Sequence, residues 1–264
     1  ASISRSRRNY DALALSSQQQ TEGIQIVANS DCKDEEIMRA ARFLIDSFWL
    51  GTPRQWVDPK ASRRRLADSV HNALIHQQAV DLASMYGERM GKRPFNSCIV
   101  WANSKADDRP LGLVGVQVLL LDRAKGNFLS PEQSEAVLKD AVASLGPKQR
   151  RLYKDCSADE LSRELLVDKE PICCFSNLAV APDARRQGAA AHLCDVVEQI
   201  AKHWGHDGVF LKVESGNSAA LILYNKLGYQ RAFTVLADTA VRLDTETGDF
   251  VETNVDTFLL RKQL

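Results

Sequence analysis

The sequence predicts an α/β fold in which a mixed sheet carries helices on both faces. Strand, helix, strand, helix and strand alternate over residues 172–261. A hairpin of two apolar strands precedes that part, and helical stretches lie on both sides of the hairpin. A hairpin combined with alternating strands and helices is typical of a mixed sheet whose two faces are both covered.

Composition fits this fold class and excludes several others. The chain has 264 residues, of which 44% are hydrophobic and 26% are charged, as in ordinary globular proteins. Lys and Arg number 34 and Asp and Glu number 34, so the formal net charge is zero and a globally basic nucleic-acid-binding protein is not expected. The longest apolar stretch, Leu111 to Leu121, is shorter than the roughly 20 residues that a membrane-spanning helix needs. We therefore predict no nucleic-acid partner and no membrane span.

The six cysteines do not predict a disulfide scaffold or a metal site. They are too sparse for a scaffold in a chain of this length, and none has the spacing of a zinc ligand. Cys173 and Cys174 are adjacent and should point to opposite faces of a strand. A redox role for this pair is the alternative to two reduced thiols.

Residues 1–23 are predicted to lie outside the folded domain. Their start is rich in Ser and Arg, as in organelle transit peptides. We expect a disordered tail or the remnant of a targeting segment, followed by a single domain over residues 24–264.

The first half should supply strands, helices and a hairpin. Alternation predicts the strands, helical periodicity predicts the helices, and Gly87 should close the second helix. Three arginines, Arg63 to Arg65, sit at the start of that helix as a solvated face or, alternatively, as an anionic contact. These elements are predicted over residues 24–28 (strand), 34–48 (helix), 47–59 (aromatic loop), 60–86 (helix), 95–102 and 111–121 (hairpin strands).

Residues 122–170 are predicted to be a helical insertion within the domain. Ser130 with Gln133 and Ser157 with Glu160 have the spacing of capping boxes. The apolar content of the stretch is too small for a core of its own. The elements that follow are predicted over residues 172–180 (strand), 188–204 (helix), 209–214 (strand), 218–227 (helix), 233–243 and 250–261 (strands).

The segment Asn177 to Leu193 carries the chemistry. An apolar strand ends at Val180, and a turn containing Arg185, Arg186 and Gly188 leads directly into an amphipathic helix. The first N–H groups of a helix lack intrahelical partners, and the helix dipole is positive there. Gly188 and the alanines after it leave room for a phosphate beside the backbone, so a pyrophosphate would fit. A tight turn with its arginines in solvent is the structural alternative.

This segment resembles the acetyl-CoA loop of the GNAT N-acetyltransferase superfamily. The loop of that family follows a strand and has the pattern Arg/Gln-x-x-Gly-x-Gly/Ala. A second block downstream is similar to the family's helix with the pattern Asn-x-x-Ala-x-x-Leu-Tyr-x-x-x-Gly-Phe/Tyr. The matching residues are Leu178, Val180, Pro182, Arg185, Gly188 and Ala190 in the first block, and Asn217, Ala220, Tyr224, Gly228 and Tyr229 in the second.

The resemblance implies a GNAT-like acyl-CoA N-acyltransferase fold with a helical insertion between its central strands, and acetyl-CoA as the cofactor. The strand through Leu178 and Val180 would separate from its neighbour and pair with the pantetheine arm, and Asn217 would hydrogen-bond that arm. Tyr224 would lie near the thioester sulfur and act as general acid. The cofactor-binding residues implied in this way are Leu178, Ala179, Val180, Arg185, Arg186, Gln187, Gly188, Ala189, Ala190, Ala191, Asn217 and Tyr224.

The general base is where this sequence departs from the family's pattern. Many relatives carry a Glu where Ser176 stands, and relatives that acetylate N-termini often carry one where Lys212 stands. Glu214 acting through water, or a water chain ordered by Cys174, Ser176 and Asn177, are the alternatives.

Two functions follow as expectations. The first is acetyl transfer from acetyl-CoA to a protein or peptide amine, either a Lys side chain or an N-terminal α-amine. The alternative is a weakly catalytic module that binds CoA and serves as an interaction subunit. A small-amine acetyltransferase would need an acidic cleft, and no acidic cluster is evident in the sequence. The leader resembles that of plastid-targeted plant and algal members, which predicts the chloroplast stroma, with the cytoplasm as the alternative.

Overall fold

The computed structural model describes residues 23–51, 67–87, 95–244, 247 and 249–264. These residues form one eight-stranded sheet and seven α-helices. The strands are β1 (Ile24–Asn29), β2 (Ser97–Ser104), β3 (Pro110–Asp122), β4 (Asn127–Phe128), β5 (Lys169–Val180), β6 (Gly208–Glu214), β7 (Gln230–Leu243) and β8 (Phe250–Gln263). The helices are α1 (Asp34–Leu44), α2 (Asp68–Tyr86), α3 (Pro131–Ala143), α4 (Pro147–Leu152), α5 (Ala158–Leu165), α6 (Ala189–His203) and α7 (Ser218–Lys226).

The sheet is mixed, as predicted. Its strand order is β1-β2-β3-β5-β6-β8-β7, and β4 pairs with β3 beside this path. The central pair β5 and β6 is parallel, and the other pairs are antiparallel. The α/β fold with a mixed sheet is therefore confirmed.

Both faces of the sheet are covered by helices. On one face Val114 and Val116 of β3 pack with Leu193 and Val197 of α6. The opposite face packs against α1 and α2. Residues of this second cluster include Ile99, Trp101, Leu113, Leu44, Leu74 and Tyr86. Because β5 lies between these two layers, a side chain at its end can reach either one.

The insertion packs on the α6 face of the sheet. Leu138 of α3 and Ala158 at the start of α5 contact Val118 and Leu120 of β3. The capping boxes have formed: Ser130 Oγ accepts from the Gln133 N–H at 3.2 Å, and the Ser130 N–H donates to Gln133 Oε1 at 2.9 Å. The box at Ser157 has formed in the same way, with Glu160. The sequence therefore identified the helix starts of the insertion.

The structure corrects two predictions before the first hairpin. A π-helical turn, Ile45–Trp49, continues α1, so the start of the predicted loop over residues 47–59 is helical. The helix α2 begins at Asp68, because Ala67 has an extended backbone with ψ 144°, and the predicted start near residue 60 lies outside the described residues. Residues 52–66, which include the predicted contact at Arg63 to Arg65, lie outside the described residues. So do residues 1–22 of the predicted tail.

The described part of the chain contains no helix that is both long and apolar enough to cross a membrane.

Candidate active site

The parallel strands β5 and β6 separate after a very short contact. Their pairing runs from Cys173 opposite Val209 to Phe175 opposite Leu211. Beyond that point β5 keeps its hydrogen bonds to β3 on its other edge, and β6 keeps those to β8. The facing edges of the two strands are left open over the last residues of each. The strand residues predicted to pair with the cofactor, Leu178 to Val180, lie on this open edge.

A β-bulge at Asn177 lies where the strands separate. Leu113 of β3 pairs with Ala179, and Gly115 pairs with Ser176, so two residues of β5 oppose Val114 alone. Asn177 has φ 56°, in the left-handed region that Asn adopts more readily than most residues. A bulge bends the strand that carries it and increases its local twist. The inserted residue therefore explains why β5 turns away from β6 at this position.

Two different groups of side chains meet the opening from its two faces. On the α6 face, Phe175 and Tyr224 have ring centroids 5.9 Å apart, and Tyr224 and Tyr229 have theirs 5.7 Å apart. On the other face, Tyr86 Oη lies 3.2 Å from Ser176 Oγ. Gly115 makes this second contact possible, because a Cβ there would lie 2.3 Å from the Tyr86 hydroxyl.

The turn between β5 and α6 has the backbone geometry of an anion-binding turn. Arg186 and Gly188 both have left-handed backbones, with φ 65° and 89°. Left-handed residues within a turn direct successive N–H groups to one side and form an anion-binding concavity. Within the described ranges, the N–H groups of residues 186–191 donate to no protein acceptor. A Cβ on Gly188 would meet no atom within 4 Å, so the space beside it is open.

These features fit a pyrophosphate. Unpaired N–H groups at the first turn of a 15-residue helix, with the positive end of its dipole, form a ready site for a phosphate group. The open edge of β5 lies directly before the turn and offers backbone groups to an extended arm. Pyrophosphate binding at this turn stays a prediction, and the backbone geometry of the turn is compatible with it.

Two residues of the predicted set have their side chains engaged within the protein. Arg185 donates to three carbonyl oxygens, those of Val180 at 3.1 Å, Gly51 at 2.9 Å and Ser47 at 2.8 Å. Asn217 caps α7, because its Oδ1 accepts from the Ala220 N–H at 3.1 Å. The sequence analysis did not foresee either contact, and two of the Arg185 partners lie 134 and 138 residues away in the chain.

The side chain of Tyr224 extends from α7 towards β5 and is buried among largely apolar groups, with its ring 5.9 Å from that of Phe175. Burial raises the pKa of its hydroxyl well above the ordinary tyrosine value, and the Cys194 thiol adds to the increase. The group is thus protonated at neutral pH. Within the described part of the chain, its hydroxyl makes no hydrogen bond to the protein.

Glu214, one of the alternatives for the general base, is held in an ion pair. Both of its carboxylate oxygens accept from Arg242, at 2.8 Å and 2.7 Å. Nearby, Lys212 Nζ lies 3.0 Å from Asp238 Oδ2. Among the described residues, the carboxylates of Glu214 and Asp238 are therefore each paired with a basic side chain.

Sequence reasoning missed Tyr86 and Arg242. Tyr86 is 90 residues from Ser176 in the chain, and only the packing of α2 on the sheet joins them. Arg242 reaches Glu214 from the far end of the β7–β8 hairpin. The one available signal was Gly115 in β3, which faces the Tyr86 hydroxyl, since a glycine within a strand often marks a close approach by another group.

Comparison with known proteins agrees with the motif. Residues 150–229 match the model of the Acetyltransferase (GNAT) family. The chain is 26% identical over 241 residues to GCN5-related N-acetyltransferase 6, chloroplastic, of Arabidopsis thaliana, covering 89% of this chain and 67% of that protein.

Solved structures are also similar, at low identity. The structure of Arabidopsis thaliana NAA60 in complex with acetyl-CoA has 12% identity and a TM-score of 0.45, over 91% of this chain and 98% of that one. The ribosomal-protein-S18-alanine N-acetyltransferase from Escherichia coli has 11% identity and a TM-score of 0.45, over 90% and 94%.

The family match spans the separated strands, the anion-binding turn and the helix that carries Tyr224. Over residues 150–229 the chain thus carries the sequence pattern of the Acetyltransferase (GNAT) family, and the activity that goes with this pattern is acetyl-CoA-dependent N-acetyl transfer.

Proposed function

We propose that this enzyme transfers the acetyl group of acetyl-CoA directly to a protein amine, a Lys side chain or an N-terminal α-amine. The observation that carries the proposal is the opening between β5 and β6, which has an anion-binding turn on one side and hydroxyl groups on both faces. Acetyl-CoA would lie along the open edge of β5. The N–H groups of residues 186–191 would hold its pyrophosphate, and Asn217 Nδ2 would be available to its arm.

The amine would enter from the face that carries Tyr86 and Ser176. A neutral amine attacks the thioester carbonyl, and negative charge develops on the carbonyl oxygen. A backbone N–H near Val180, at the open edge, would stabilise that charge. Tyr224 would then donate its proton to the leaving thiolate. Burial raises its pKa, which keeps the hydroxyl protonated at neutral pH but makes it a weaker acid, so binding of the cofactor would have to lower this pKa before the proton moves.

The incoming ammonium must lose a proton before it can attack, since a Lys amine has a pKa of about 10.4 and an α-amine one of about 7.7–8.0. Glu214 is held by Arg242 and does not serve. We propose that a water bound at the Ser176 hydroxyl, which Tyr86 positions, carries this proton to solvent.

Charge on the amine side favours a protein amine over a polyamine. A polyamine carries several cations and needs carboxylates that are not already compensated. Glu214 and Asp238 are both paired with basic side chains, those of Arg242 and Lys212. An acceptor with one reacting amine at the end of a chain has no such requirement.

The chloroplast is the proposed compartment. The basis is the Ser- and Arg-rich start of the sequence together with the 26% identity to an Arabidopsis protein named chloroplastic. Import of a fluorescent fusion into isolated chloroplasts, compared with a fusion that lacks residues 1–23, tests this proposal.

The deciding experiment combines labelled acetyl-CoA, a mixed peptide library and mass spectrometry, on wild type and Tyr224→Phe. We expect product on Lys side chains, α-amines or both, and a kcat that is ~10²–10⁴-fold lower in the variant with an unchanged Kd for acetyl-CoA. A wild-type rate in the variant would reduce Tyr224 to a packing residue. Binding of acetyl-CoA by the wild type without any product would favour the interaction-subunit alternative.

A further inference from the structure

Arg185 lies where the anion-binding turn between β5 and α6, called the acetyl-CoA turn below, contacts the π-helical turn Ile45–Trp49. In the motif it is the first residue of the turn that receives the pyrophosphate. Its guanidinium nevertheless donates to Ser47 O and Gly51 O, at the end of the π-helical turn, as well as to Val180 O. Three carbonyls from two separate parts of the chain thus share one planar side chain. A fork of this kind is specific to Arg, because a Lys ammonium offers a single point of attachment.

A second contact joins the same two parts of the chain. A Cβ placed on Gly51 would lie 2.9 Å from Pro182 Cγ, and 2.8 Å and 2.9 Å from the carbonyl oxygens of Asp46 and Ser47. The backbone at Gly51 therefore packs directly on the 3₁₀ turn Pro182–Ala184 that precedes the anion-binding turn. Any side chain at this position would push the two apart.

The π-helical turn belongs to the amine side of the site. Ile45 shares a core cluster with Tyr86, on the face opposite α6. Trp49 donates from Nε1 to Gln78 Oε1 of α2 at 3.1 Å, and its ring lies 5.1 Å from that of Phe250 at the start of β8. The turn thus connects α2, the β7–β8 hairpin and, through Arg185, the acetyl-CoA turn. π-Helical turns occur frequently at functional sites.

We propose that Arg185 is a positioning residue, which couples the acetyl-CoA turn to the wall of the amine site instead of neutralising the pyrophosphate. Occupation of the turn by acetyl-CoA would fix Arg185 and, through it, the Ser47 and Gly51 carbonyls. The wall that receives the amine would then be ordered best when the acetyl donor is present. This inference rests on the proposed function in one respect, namely that the amine enters from the Tyr86 face.

The test compares Arg185→Lys with Arg186→Met. Arg185→Lys keeps the charge and loses the fork, whereas Arg186→Met removes an exposed charge from the turn itself. For Arg185→Lys we expect a KM for the peptide amine that is raised roughly tenfold, as for the loss of one charged hydrogen-bond pair, and a Kd for acetyl-CoA within about twofold of wild type. Arg186→Met should show the opposite split, with weaker acetyl-CoA binding and an unchanged KM for the amine.

Two further measurements make the outcome independent of turnover. Acetyl-CoA should slow hydrogen exchange at residues 45–51 in wild type and not in Arg185→Lys. Gly51→Ala, which separates the same contact from its other side, should reproduce the exchange result and the raised amine KM. Melting temperatures close to wild type would show that both variants are folded, and if Gly51→Ala does not fold, Arg185→Lys decides alone.

An acetyl-CoA Kd that rises in Arg185→Lys while the amine KM stays unchanged would overturn the proposal, since Arg185 would then serve the pyrophosphate. So would unchanged values of both constants, or equal exchange protection in the two proteins. Absence of transfer by the wild type contradicts the proposed function alone, because the exchange measurement still reports the coupling.

Discussion

At the scale of single residues, Gly188 decides whether the anion-binding turn can form. It combines a left-handed backbone with open space where a Cβ would stand. Any L side chain is strained by about 1–3 kcal/mol in that conformation, and a long one would occupy the space offered to the pyrophosphate.

Gly188→Glu should therefore abolish acetyl-CoA binding, by strain, by bulk and by repulsion between like charges. Gly188→Ala is the matched control, since it adds the strain and little bulk. Calorimetry should show a moderately raised Kd for the Ala variant and no measurable binding for the Glu variant. Wild-type affinity in Gly188→Glu would contradict the assignment of the turn.

Glu214 is a structural partner of Arg242 at this scale, although its position in the sequence made it a candidate base. A general base contributes ~10²–10⁴-fold to the rate. Glu214→Gln keeps the shape of the side chain and should lower kcat by less than about tenfold, with the same acidic limb in the pH–rate profile. Arg242→Gln should have a similar effect, because it removes the same pair. Loss of the acidic limb in Glu214→Gln alone would restore the carboxylate as the base.

At the scale of elements, the β-bulge is the feature that shapes β5. Asn177 tolerates the left-handed backbone, whereas a β-branched residue does so only at a cost of ~1–3 kcal/mol. Asn177→Val should therefore lower the free energy of unfolding by about that amount. It should also weaken acetyl-CoA binding, because relief of the strain would move the backbone at the open edge of β5.

Asn177→Gly is the control for this prediction, since glycine adopts the same φ without strain. Urea unfolding should find this variant close to wild type, and its Kd for acetyl-CoA should be unchanged. Equal stability and affinity in the Val variant would show that the left-handed backbone at residue 177 affects neither the fold nor the binding of acetyl-CoA.

The regular elements were predictable because periodicity and capping are local. The capping boxes fixed the starts of α3 and α5, and alternation located β3 and β5 within a few residues. The π-helical turn and the bulge were missed, since each depends on the position of a distant backbone. For the site, the motif indicated the turn where we predict cofactor binding, but the partners of Arg185, Ser176 and Glu214 became visible only in the fold.

At the scale of the whole molecule, buried thiols and phenols link stability to pH. Burial raises the pKa of Cys174 and that of Cys194 from 9.0 to about 12, and it raises the pKa of Tyr86, Tyr224 and Tyr229 above the ordinary tyrosine value. The folded protein therefore keeps protons that the unfolded chain releases. The stabilisation that these groups provide is fully present below pH 9.0 and is lost as pH rises towards 12.

Urea unfolding under reducing conditions should show this directly. Above pH ~9, each such group should lower the free energy of unfolding by up to about 1.4 kcal/mol per pH unit, with no contribution from them between about pH 7 and 8. Cys194→Ala should reduce the slope in the alkaline range. A free energy of unfolding that stays constant to about pH 10.5 would contradict the shifts.

The insertion belongs to the same scale. Leu138 and Ala158 complete a core that β3 begins, so we propose that residues 24–264 form a single domain with the insertion as an integral part. Its helices lie on the face of α6, away from Tyr86 and Ser176. With the amine entering from that face, as proposed, the π-helical turn and the β7–β8 hairpin would be nearer to the acceptor than the insertion is, among the described residues.

The extra residue in β5 also determines when the site is prepared. Because the separation of the strands comes from the covalent length of β5, the gap is present before any ligand arrives. The free energy lost by leaving these strand edges unpaired belongs to the folding of the chain and not to the binding of the ligand. In the proposed mechanism, the arm of acetyl-CoA would then pair with the open edge of β5 and make the strand contacts that the free enzyme lacks. Each catalytic cycle would form these contacts when acetyl-CoA binds and break them when CoA leaves.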